Sequence, residues 1–137
     1  ANALLLMEPA RAGAYQRAME KRGPGLHHLA VDVASLTEFL PVATGAGWQL
    51  HPVSEGSIAQ LRTAWLFQRG FPGLIEAQER PGQNDPPFAR IALPGAEAFA
   101  PALAAIGLGG VVFGGSAVGA FAELALGEHK LALQELF

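Results

Sequence analysis

The stretch "GLHHLAVDVASLTEFLPVATGAG", residues 25–47, changes period part-way along. Over residues 26–33 the aliphatic Leu29, Val31 and Val33 alternate with His28, Ala30 and Asp32. A strand here turns the first set to one face and the second set to the other. Ser35 then supplies an N-cap for a helix in which Leu36, Phe39, Leu40 and Ala43 recur at helical spacing, and Gly45-Ala46-Gly47 stops it. Pro41 is expected to kink or shorten that helix, because proline has no N–H to donate to the preceding turn.

Downstream, residues 48–53, 61–69 and 74–78 read as three further strands, separated by "SEGSIAQ" and the turn "GFPG". In the last of them Ile75 and Ala77 face the helix, which leaves Glu76 on the same side as His28. Upstream, residues 3–7 read as a buried strand closed by Glu8-Pro9, and residues 14–22 as a short helix ending at Gly23-Pro24. Beyond the polar linker "RPGQNDPP" the same syntax returns: a strand at 88–93, a helix at 96–106 with a glycine stop, then strands at 111–113, 121–126 and 130–136. The predicted class is α+β, with βαβββ modules at residues 25–80 and 88–137. A sheet with a helix on one face still has a second face to cover, so two such sheets are expected to pair and curl around a shared cleft. Residues 1–24 read as the tail of a truncated or swapped module.

Composition bounds the chemistry. The chain has 137 residues, half of them hydrophobic, with 17 Gly and 10 Pro, which favours many short elements. A formal charge of −3 with 15% charged residues and no Lys/Arg cluster lacks the footprint for nucleic acid, so the expected partner is a small molecule. With no cysteine there is neither a disulfide nor a thiolate ligand, and any metal falls to His, Glu, Asp or Gln. No apolar run approaches the roughly 20 residues of a membrane span, and the opening segment lacks the basic flank of a signal peptide, so the expected location is cytoplasmic.

The double β-α-β-β-β syntax resembles the vicinal oxygen chelate superfamily, which includes glyoxalase I, extradiol dioxygenases, methylmalonyl-CoA epimerase and bleomycin-resistance proteins. "LLLMEPARAGAYQRAMEKRGPGLHHLAVDV" is similar to the middle of a methylmalonyl-CoA epimerase, and "RTAWLFQRGFPGLIEAQ" to that family's ending. The likeness covers residues 3–80, while residues 88–137 carry only the syntax. It implies a glyoxalase-like fold, a homodimer, and a divalent metal ion (Zn, Mn, Co, Ni or Fe) held by His28 and Glu76, with His27 a neighbour and not a ligand. In the second module, if Leu131 and Leu133 face the helix, Gln134 falls near the position of Glu76, as a third ligand; a register shifted by one residue puts Leu133 there instead. Alignment of the two modules also puts Phe88 opposite His28 and Arg90 on the same face, as substrate-binding residues. Glu123, in "FAELAL", is the candidate general base.

The implied activity is a metal-dependent lyase or isomerase, an epimerase for instance, acting on a small carbonyl substrate through a stabilised enolate. A dioxygenase would call for a second well-placed His. The alternative is a metal-free small-molecule binding protein of the bleomycin-resistance type, favoured by Leu5 and Phe88 standing where the family has ligands. His51, before Pro52, and His129, in the turn "GEHK", read as solvated. The glycine-rich "GLGGVVFGGSAVG" lacks the Lys-Ser/Thr of a phosphate loop and reads as a short strand between tight turns.

Overall fold

A computed structural model describes residues 12–23, 27–54, 63–80, 82, 91–92, 96–109, 111–112, 123–126 and 129–132. The expected strand at residues 3–7 lies outside them. The protein is α+β. Helix α1 (Ala14–Arg22) precedes strand β1 (His28–Val33), helix α2 (Leu36–Gly45), and strands β2 (Gln49–Leu50), β3 (Thr63–Phe67) and β4 (Leu74–Glu79). These four strands form a mixed sheet in the order β1-β4-β3-β2, with β4 parallel to β1 and antiparallel to β3. The last strand of the unit therefore lies beside the first.

Alternation decides the two faces of this sheet. Leu29, Ala64, Leu66, Ile75 and Ala77 are all buried on one of them, and pack with Ala43 and Leu36 of α2. His28, Trp65 and Glu76, between them in sequence, share the other face.

Helix α2 starts where expected: the Ser35 Oγ accepts from the Glu38 N–H at 3.4 Å. A second acceptor comes from the sheet, since the Glu79 carboxylate at the end of β4 takes the Leu36 N–H at 2.8 Å, placing negative charge at the helix's positive end. The helix does not stop at Pro41 but continues to Gly45. The carbonyl that Pro41 cannot reach belongs to Thr37 on the exposed side, where water is able to satisfy it. At its end the Trp48 N–H donates to the Ala43 carbonyl and the Gly47 N–H to that of Thr44, a Schellman turn with Gly47 at φ +93°. A side chain at Gly47 would meet both this positive φ and the Gln68 amide at 3.0 Å.

The second helical segment repeats that device. The predicted helix over 96–106 begins as a 3-10 turn (Glu97–Phe99) and becomes helix α3 at Ala100–Ala105. It ends with the Leu108 N–H on the Leu103 carbonyl and the Gly107 N–H on that of Ala104, with Gly107 at φ +83°. Trp48 and Leu108, the residues just past the two glycines, enter one core together with Leu29, Leu66, Phe71, Ile75 and Leu103. The buried indole N–H of Trp48 donates to the Ala102 carbonyl at 3.0 Å, and the ring of Phe71 packs edge-on against Phe99. Helix α3 thus shares the core of the first sheet.

Strands β5 (Ile91–Ala92), β6 (Val111–Val112), β7 (Glu123–Leu126) and β8 (His129–Ala132) form a second sheet in the order β6-β5-β7-β8. The element sequence is again strand, helix, three strands, but the neighbours differ from those of the first sheet. Here the opening strand sits between β6 and β7, and the closing strand is at the edge. Strand β2 is shorter than the predicted 48–53, because Pro52 opens a 3-10 turn (Pro52–Ser54). His129 starts β8 and is not a turn residue.

Candidate functional site

On the sheet face opposite α2, His28 of β1, Trp65 of β3 and Glu76 of β4 come together. Register places Glu76 of β4 directly opposite Ala30 on one side and Trp65 on the other, with His28 opposite Leu74. The His28 imidazole reaches diagonally across to bring Nε2 within 3.3 Å of Glu76 Oε2, both side chains being largely shielded at 14% and 16% exposure. Ala30, the neighbour of Glu76 on one side, is small and exposed. Trp65 supplies the opposite wall, its ring 4.9 Å from that of His28 and nearly perpendicular to it.

Position along β3 is held from the adjoining segment. Ser54, fully buried, accepts the Trp65 N–H on its hydroxyl at 2.8 Å, and the His51 N–H donates to the Trp65 carbonyl at 2.8 Å. The shortened β2 is thereby extended by a turn that keeps both backbone groups of Trp65 satisfied. His51 itself sits just past β2 and before the 3-10 turn. It is half-buried, accepts the Val53 N–H on Nδ1 and packs edge-on to Phe67.

His27 precedes β1, so strand alternation does not govern it, and its ring turns to the same side as His28. The two Nδ1 atoms are 3.0 Å apart. Tyr15 of α1 packs against His27 with ring centroids 4.5 Å apart and planes tilted by 45°, and Trp65 meets it edge-on. Tyr15 and Trp65 were not singled out by motif, whereas His27 was read as the neighbour of a ligand. For Trp65 a signal existed in "TAWLF", where alternation with Ala64 and Leu66 assigns the indole to the face of Glu76.

Burial holds the pKa of His28 below 6.5, and the neighbouring Glu76 carboxylate opposes that shift only in part. Folding therefore favours the neutral imidazole. The corresponding stability is complete above pH 6.5 and is lost as pH falls through the window between 6.5 and the lower folded value. Urea midpoints of the metal-free protein are expected to decline across that window. A His28→Phe variant should flatten that limb of the curve, and an unchanged slope would remove His28 as its source.

Of the six site residues expected from sequence, the structure brings His28 and Glu76 together. Glu123 lies on β7, opposite Ala92 and Ala132, and its side chain is outside the description. Phe88, Arg90 and Gln134 lie outside the described residues. Among the described residues no cluster of three or more His, Cys, Asp or Glu is arranged to hold a metal ion, and no helix is long and apolar enough to cross a membrane. No family model, curated protein or solved structure matches the chain.

Proposed function

We propose that the protein is a divalent-metal-dependent enzyme of the glyoxalase type, a lyase or isomerase acting on a small carbonyl substrate, with His28 and Glu76 as ligands. The observation that carries this reading is the 3.3 Å separation of Nε2 and Oε2. Two donors bound at 2.0–2.1 Å to a tetrahedral ion stand about 3.3 Å apart, and a nitrogen–oxygen pair suits Zn, Mn, Fe, Co or Ni. A neutral imidazole is also the form that ligates, and burial of His28 favours it. The β1-β4-β3-β2 order supports a βαβββ reading of the first unit. The different order of the second sheet does not repeat it.

A cation held there would supply Lewis-acid charge to offset the negative charge that develops when a carbonyl substrate loses its neighbouring proton. The chain's own part is to hold and to enclose. Trp65 screens one side of the pair from water, Ala30 leaves the other open to a substrate, and Glu123 is the proposed base. Further ligands come, on this reading, from Gln134 or from a second copy of the chain.

Metal analysis tests it. The purified protein is expected to hold one divalent ion per site after exposure to Zn²⁺, and a folded His28→Ala variant none. A parent protein that takes up no ion would overturn the enzyme reading. It would leave ahead a metal-free binding protein, which the Trp65 wall favours because a flat ligand can stack on it.

A further inference from the structure

The contact between the two histidines contains more information than either ring alone. At 3.0 Å the two Nδ1 atoms are within hydrogen-bond distance, so one must donate and the other accept. With both rings neutral there are two arrangements. In the first, His27 carries its proton on Nδ1 and donates to His28, whose own proton sits on Nε2 and points at Glu76. In the second, His28 Nδ1–H donates to His27, and the lone pair of His28 Nε2 faces the carboxylate oxygen at 3.3 Å. Two lone pairs at that distance repel unless a cation lies between them. Without metal, the His28–Glu76 contact therefore favours the first arrangement.

Ligation through His28 Nε2 demands the reverse. The ring must then carry its proton on Nδ1, and the acceptor in place is His27 Nδ1, which must have moved its own proton to Nε2. We propose that His27 is a positioning residue that fixes the ligating tautomer of His28, and that metal binding exchanges the tautomers of both rings together. The proton count does not change, since each ring keeps one proton and only its nitrogen differs. Tyr15 and Trp65, packed on His27, hold its ring at the angle the shared hydrogen bond needs. This inference rests on the metal reading above and concerns a residue that reading leaves without a role.

Nitrogen-15 NMR of the imidazoles, above the ordinary histidine range of about 6.5, tests it directly. In metal-free protein the expected protons are His27 Nδ1–H and His28 Nε2–H; with Zn²⁺ they become His27 Nε2–H and His28 Nδ1–H. A His27→Phe variant keeps a ring for Tyr15 and Trp65 but has no acceptor, and its Zn²⁺ affinity is expected to fall about 10- to 100-fold. His27→Asn, whose Oδ1 can stand near the position of Nδ1, should recover most of that loss, which a merely structural role would not produce. If Zn²⁺ binds His27→Phe as tightly as the parent, or if His28 keeps Nε2–H on binding, the coupling is wrong and the metal site survives it. If the parent binds no Zn²⁺, both readings fall together.

Discussion

A Glu76→Gln protein is expected to bind Zn²⁺ at least 100-fold more weakly than the parent, beyond the roughly 10- to 100-fold range typical of outer-shell partners. The amide keeps the shape of the carboxylate and an oxygen able to accept from His28 Nε2–H, so the fold and the wall at Trp65 should persist. What it loses is the negative charge that, on the proposed reading, would balance a divalent ion in a shielded place. A second consequence separates this from simple damage. The carboxylate raises the His28 pKa against the larger effect of burial, so its removal should lower that pKa further. Titration of His28 by NMR in the metal-free variant should show a shift toward acid, and the acid limb of its stability curve should extend to lower pH. Undiminished Zn²⁺ affinity in Glu76→Gln would remove Glu76 from the ligand set.

Leu103→Ala is expected to destabilise the whole chain by about 2–5 kcal/mol, the range for deleting a fully buried leucine. Leu103 is inaccessible to solvent and belongs to the cluster that also contains Leu29, Leu66 and Ile75 of the first sheet. Its backbone carbonyl also receives the Leu108 N–H that closes α3, so the helix end and the core meet at this residue. Against a typical domain stability of about 5–15 kcal/mol the loss is large. Because α3 and the first sheet share one core, urea denaturation followed by tryptophan fluorescence should remain a single transition with a lower midpoint. Hydrogen exchange in β4 should quicken along with that in α3. Loss of protection in α3 alone would mean that the two are not coupled.

Much of this arrangement was legible residue by residue. The N-cap at Ser35, the glycine exits at Gly47 and Gly107, and the opposed faces of Leu29 and His28 all depend on contacts within a few positions in the chain. Pro41 does not shorten the helix, which runs to Gly45 as the glycine stop implied, because a carbonyl on the exposed side one turn earlier tolerates the missing donor. For His27 alternation gave no guide, because it applies only inside a strand and β1 begins one residue later.

By itself the sequence determined which residues could share a face, since side-chain period is a property of the backbone conformation and needs no partner. Only the tertiary structure decided which faces meet. The parallel β1–β4 register set His28 diagonally from Glu76, the shared core drew α3 onto the first sheet, and the second sheet took a neighbour order unlike the first. Those choices turn on packing between segments far apart in the chain. Local pattern constrains them little, because closing a longer loop adds only slowly to the entropic cost while burial and register differ sharply among the alternatives.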